Sequence, residues 1–281
     1  MKLLLKLFFL FPLTAFPQND LLSEIAIDST HVYAEAAFKG MKIVNFESTK
    51  LIGKKQLTFV VAHRFGSIEN GFDTFFGLDD AVTRIKFIYG LSDAINISVS
   101  RSSYRKIYDA SIKYRLLRQE KNGFPFTIVG YNSMLVNTGL EEENLPKLEF
   151  KHRLGYTTQL LISRKFSPKF SLELAPTYFH NNYVVVNSQD NSQFALGMGG
   201  RYKIGKRWSI NVDYGLHLNR SDDSPFRNPL SIGVDLETGG HVFQMHFTNA
   251  QPMLENYYLS RATGDWTEGQ IYFGFNLSRY F

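Results

Sequence analysis

The sequence predicts an all-β fold, an up-and-down antiparallel transmembrane β-barrel of about twelve strands preceded by a short N-terminal periplasmic or plug segment. Three observations predict it. Long stretches alternate apolar and polar residues with period two, and their connections alternate between long and short. The third is composition: the chain carries 25 Phe and 15 Tyr, yet no run of roughly eighteen apolar residues that could cross a bilayer as a helix.

The alternation is clearest near the C-terminus. Ile210, Val212, Tyr214, Leu216 and Leu218 share one face of a strand, and Ser209, Asn211, Asp213, Gly215, His217 and Asn219 share the other. Leu230, Ile232, Val234 and Leu236 oppose Ser231, Gly233, Asp235 and Glu237 in the same way. Ile271, Phe273, Phe275, Leu277 and Phe281 do so again, with only Arg279 breaking the apolar face. Read in this way, the strands fall at 56–65, 80–90, 93–102, 105–118, 124–138, 148–165, 168–181, 191–204, 207–219, 228–237, 240–250 and 268–281. The second strand is only partly clean, because Ile88 falls on its polar face, and 124–138 alternates poorly. Many segments exceed the five or six residues usual in soluble sheets and suit a tilted membrane crossing.

The connections run in order from GSIENGFDTFFGLDD to LSD, SSYRK to QEKNGF, TGLEEENLP to SPK, NNYVVVNSQDNS to GKR and NRSDDSPFRN to ETGG, then QPMLENYYLSRATGDW. Outer-membrane barrels have short periplasmic turns and long outer loops, so this parity puts both ends of the barrel chain on the periplasmic side. SSYRK is short for an outer loop. A soluble sandwich would bury its apolar face and need no such parity. In lipid the sheet must close, turning apolar side chains outward and polar ones into the lumen.

Three regions result. Residues 1–17 combine Lys2 and Lys6 with the run LFFLFPLTAF, the pattern of an export signal. Residues 18–55 form a lead-in or plug in which LLSEIAI reads as a short helix and HVYAEAAFKGMKIVNFES as one or two short strands, and residues 56–281 form the barrel. Removing Lys2 and Lys6 from the 31 basic residues leaves 29 against 26 acidic ones, a net charge of +3, which makes no case for nucleic acid. The absence of cysteine excludes disulfides and thiolate chemistry.

The polar face places Arg64, Arg84, Lys86, Asp109, Lys113, Arg115, Lys151, Arg153, Glu173, Arg201, Lys203, Asp213, Asp235 and Glu237 in the lumen. Two readings follow. The charges pair across strands and fill the barrel, or Arg64, Arg84, Lys86, Lys113, Arg115, Lys151 and Arg153 form a basic wall that attracts anions. No metal or other cofactor is expected: His241 and His246 face opposite sides, and one strand separates the strands of His217 and His246. No G-x-S-x-G elbow occurs, although Ser231, Ser278, His217 and His246 share the polar face, so a non-enzyme is favoured over a membrane-embedded, lipase-like barrel enzyme. The pair Gly199–Gly200 reads as a bulge or bend inside a strand, and Gly239–Gly240 as a tight hairpin turn.

The stretches AHRFGSIENGFDTFFGLDDA (62–81), GLSDAINISVSRSSYRKIYDASIKYRLLRQ (90–119) and PLSIGVDLETGGHVFQMHFTNAQPM (229–253) resemble a membrane-bound β-barrel family of Bacteroidota, a domain of unknown function. The resemblance implies an outer-membrane barrel and carries over no site residue. Outer-membrane barrels commonly end on an aromatic residue read by the barrel-assembly machinery, and Tyr280 and Phe281 resemble that signal. The expected partners are therefore outer-membrane lipid, that machinery, and either a small solute or a periplasmic protein, with the barrel a monomer. The expected function is a narrow pore for small polar or anionic solutes or a periplasmic docking site, with the enzyme or a purely structural barrel as alternatives.

Overall fold

A computed structural model of the protein describes residues 32–281, so the export signal read at 1–17 and the helix read at LLSEIAI lie outside the described residues. Twelve strands close into a barrel: β1 (Leu57–Ser67), β2 (Ala81–Ser92), β3 (Ile95–Ser102), β4 (Ile107–Leu117), β5 (Thr127–Asn137), β6 (Leu154–Lys165), β7 (Phe170–Asn181), β8 (Ser192–Lys203), β9 (Trp208–His217), β10 (Leu230–Thr238), β11 (His241–Thr248) and β12 (Tyr272–Tyr280). Each pairs antiparallel with its neighbour in sequence, and β12 closes on β1 with Thr58 opposite Tyr280 and Ala62 opposite Asn276. Closure leaves no edge, which is the condition for a sheet in hydrocarbon.

Side chains alternate as lipid on one side and a polar interior on the other require. Ile210 is 36% exposed and Val212 39%, whereas Asn211 between them is 1% and Asn276 3% exposed. Val99, Phe243 and Phe247 continue the apolar outer belt.

The interior is not an open passage. Residues 37–52 lie inside, almost entirely buried, as a hairpin whose arms meet at the Lys42–Glu47 bridge and whose tip turns through Ile43–Phe46, closed by the Ile43 N–H donating to the Phe46 carbonyl at 2.8 Å. This is one tight reversal with isolated bridges, not the one or two strands predicted for 31–48. The chain comes in along the short-turn end, where the Ala34 N–H donates to the Gln119 carbonyl and Glu35 pairs with Lys165 at 2.6 Å. It leaves at the same end through Gly53–Gln56 into β1. From the opposite end, the long connection between β11 and β12 folds inward and carries a short helix, α1 (Glu255–Ser260), every residue of which is buried.

The two insertions meet. Phe46 at the hairpin tip stacks edge-on against Tyr258 of α1 with ring centroids 5.1 Å apart. Around them Phe38, Ile43, Leu259, Val129, Tyr131, Leu161, Ala175, Phe179 and Ala195 form one apolar core inside the barrel. This explains the poor alternation of β5: Val129, Tyr131 and Leu135 point inward and are apolar because they face side chains, not water. Ile88, inward and 3% exposed, packs on Met41 and Ile52 for the same reason.

Two further expectations are corrected. β6 begins at Leu154, not 148, because residues 150–153 form a 3-10 turn; Lys151 is therefore exposed on the rim and paired with Glu149 at 2.8 Å, and Arg153 donates to the Leu140 carbonyl at 2.7 Å. Gly199 and Gly200 make no bulge, since the β8–β9 register runs unbroken past them. A Cβ on Gly199 would stand 2.2 Å from the Ile43 side chain, and one on Gly197 2.2 Å from the Phe46 ring, so these glycines open the wall to the hairpin. Gly239–Gly240 does form the two-residue turn between Thr238 and His241.

Candidate functional site

The inward charges of the wall converge on the hairpin. Glu47 is 1% exposed and sits among three ammonium groups: Lys113 at 2.6 Å, Lys86 at 2.9 Å and Lys42 at 3.6 Å. Burial alone would raise its pKa, but the three lysines outweigh that and hold the carboxyl well below its ordinary value. Lys42 also pairs at 2.8 Å with Glu255 of α1, so the ion network joins both insertions to the wall. Arg84 pairs across strands with Asp109 at 2.9 Å and donates to the Met253 carbonyl of the long connection at 3.1 Å. A buried charge without a partner costs several kcal/mol, about 3–5 when one member of a pair is removed, so these contacts are interdependent.

A second group of wall side chains captures hairpin backbone. One carboxylate oxygen of Asp213 accepts the N–H groups of Val44, Asn45 and Phe46 at 3.0, 2.7 and 3.1 Å, which satisfies the donors left over by the tight turn. Arg64 donates to the Asn45 side-chain carbonyl at 2.6 Å. Glu173 accepts from the Thr49 N–H at 3.0 Å, and Gln244, bridged to Asp235, donates to the Lys42 and Ile43 carbonyls. At the short-turn end Arg201 reaches the Ala37 carbonyl at 3.5 Å and Glu237 pairs with Lys39 at 3.0 Å.

Of the fourteen sequence-predicted lumenal residues, Arg64, Arg84, Lys86, Asp109, Lys113, Glu173, Arg201, Asp213 and Asp235 are buried inside. Arg115, Arg153, Lys203 and Glu237 are half-buried towards the barrel ends, and Lys151 is outside. Sequence reasoning missed Lys42, Asn45, Glu47 and Glu255, which lie outside any periodic segment. Their one signal was the surplus of positive charge on the inward faces of β1–β4, which has too few acids of its own.

The α1 side is held differently. The Asn256 amide donates to the Tyr156 and His180 carbonyls, both at 3.1 Å, and accepts from Thr157. Arg220 donates to the Leu259 carbonyl at 3.0 Å and the Ser260 carbonyl at 3.4 Å, the acceptors that a helix C-terminus leaves free; burial pulls its pKa down to about 10. Two cavities beside the hairpin, of about 20 and 10 Å³ and both lined by Lys86, Glu47, Met41 and Ile88, have room for single waters and no solute. Among the described residues no group of three or more His, Asp or Glu is placed to hold a metal ion, and His217 and His246 stay on separate strands.

A family model described as Membrane bound beta barrel domain (DUF5777) matches residues 38–281, a span that includes the lumenal hairpin. No curated protein matches the chain. Among solved structures, a NanC porin aligns with a TM-score of 0.50 at 10% identity, covering 79% of this chain and 97% of that one. A KdgM porin in complex with disordered oligogalacturonate aligns with a TM-score of 0.50 at 9% identity, covering 80% and 99%. At such identities the likeness is one of fold: a closed antiparallel barrel, here of twelve strands.

Proposed function

Because the chain belongs to this family of membrane-bound β-barrel domains, we propose that it is an outer-membrane channel held shut by residues 37–52, which passes small polar or anionic solutes once the hairpin withdraws towards the short-turn, periplasmic end. The observation that carries the reading is Glu47 among Lys42, Lys86 and Lys113. In the docked state that carboxylate neutralises the wall; withdrawn, it leaves Arg64, Lys86 and Lys113 facing the opened lumen as a basic lining that favours anions. The two readings of the lumenal charges are then two states of one wall. The alignment to a porin crystallised with an oligogalacturonate supports an anionic solute class. A periplasmic protein that engages the residues before Ala37 is the trigger that fits this geometry.

Planar-bilayer conductance tests it. Wild type is expected to stay closed, and Glu47→Gln to open with anion preference. The chain has no cysteine, so Thr49→Cys with Ser163→Cys, whose hydroxyls lie 2.5 Å apart, gives a hairpin that oxidation locks and reduction frees. A Glu47→Gln barrel that inserts with native strand content and conducts no more than wild type defeats the channel reading. That result would favour a permanently filled structural barrel, for which the close fit of Ile43 and Phe46 over Gly199 and Gly197 speaks.

A further inference from the structure

A recess on the long-loop rim lies away from the lumen, between the β5–β6 and β7–β8 connections. It measures about 410 Å³ and is lined by Leu145, Pro146, Lys147, Leu148, His152 and Tyr183. That volume falls within the ~300–1,000 Å³ typical of small-molecule sites. Its walls are tied together: the Asn182 side chain donates to the Lys151 carbonyl at 2.6 Å, and the Asn182 N–H donates to the Leu154 carbonyl at 3.0 Å.

The polar groups at this recess are all donors or neutral. The Glu149 N–H donates to Nδ1 of His152 at 2.9 Å, so that nitrogen is unprotonated and the ring proton sits on Nε2. The neighbouring carboxylate, Glu149, is engaged by Lys151 at 2.8 Å. Among the described residues neither the Lys147 ammonium, the Nε2–H of His152 nor the Tyr183 hydroxyl makes a hydrogen bond to protein. No carboxylate lines the recess; Glu141, Glu142 and Glu143 stand at the head of the same loop, outside it. Unengaged donors in a recess also lined by Leu145, Pro146, Leu148 and the Tyr183 ring suit an acceptor-rich anion that also carries an apolar face.

We propose that this recess binds a small organic anion with a flat apolar face, its carboxylate held by Lys147 and the Nε2–H of His152 and its ring set against Pro146 and Tyr183. Acidic sugars and aromatic carboxylates share that chemistry. The site lies on the rim, so it does not depend on whether the lumen opens.

Isothermal titration of the detergent-solubilised full-length protein with galacturonate, benzoate and glucose tests the proposal, with heat-modifiable gel mobility confirming a folded barrel for each variant. Saturable binding near about 1 mM is expected for galacturonate, benzoate or both, and none for glucose. Which acid binds tells a sugar site from an aromatic one. Lys147→Ala and Tyr183→Ala should each weaken binding about tenfold or more, while Lys147→Arg retains it. Binding of neither acid, binding of glucose as tight as that of galacturonate, or affinity unchanged in both Lys147→Ala and Tyr183→Ala would overturn it.

Discussion

The hairpin and the α1 connection share one lumen, yet they differ in what holds them and in how they are strung. The α1 connection hangs between β11 and β12, so both its ends are fixed in the wall. It is held mainly by neutral amide hydrogen bonds from Asn256 and by buried Leu254, Tyr257, Tyr258 and Leu259. Among the described residues the hairpin is covalently continuous with the wall only at β1, and the charged contacts concentrate on it: Glu47 with three lysines, and Asp213 with three backbone N–H groups. Apolar contacts change little with protonation, whereas a buried carboxylate among lysines is decisive in either state. On the proposed channel reading, this contrast assigns α1 to the fixed half of the filling and the hairpin to the half that withdraws.

The sharpest way to break that contrast is Glu47→Gln. It leaves buried ammonium groups short of a counter-charge, so hairpin docking should weaken by about 3–5 kcal/mol. Hydrogen exchange should rise at the amides of Ile43 and Ser48 while those of Tyr258 and Arg261 hold; equal loss in both would mean the insertions form one unit. Asp213→Asn comes next. It replaces a charged acceptor of three N–H groups by a neutral one, at a cost of about 2–3 kcal/mol, read by the same exchange experiment.

Gly199→Val tests shape without charge. Its side chain must occupy the space of Ile43, which should cost about 1–3 kcal/mol and raise hairpin exchange selectively. Acid gives a graded version of the first test. The pKa of Glu47 is depressed when folded, so its stabilisation is complete above the ordinary carboxylate value of 4.5 and fades as pH falls through the lower folded value. Wild-type hairpin exchange should therefore accelerate only well below pH 4.5, and Glu47→Gln should not show that step. The smallest effect is expected from Arg220→Ala, about 1 kcal/mol, confined to the end of α1 where the Leu259 and Ser260 carbonyls lose their donor.

The wall was legible in the sequence because lipid imposes a rule on it. Ile210 and Val212 must face hydrocarbon and Asn211 must not, so a period of two reports orientation directly. The rule weakens at Val129, Tyr131, Leu161 and Phe179, whose neighbours are insertion side chains rather than water, and periodicity carries no information about what fills a lumen. Lys151 was misplaced because the 3-10 turn at 150–153 shortens β6. Glu47 and Glu255 were invisible for another reason: they are positioned by chain reversals, not by a repeating pattern. Only the unbalanced lysines and arginines of β1–β4 hinted that acids would arrive from elsewhere.

Direct attachment of the hairpin to β1 has a kinetic consequence. A released stopper of this kind stays leashed to the mouth it vacates, so its return is a first-order event whose rate is independent of protein concentration and which dilution cannot defeat. Such a barrel would reseal by itself once whatever draws the leash lets go, leaving the envelope no second molecule to recruit.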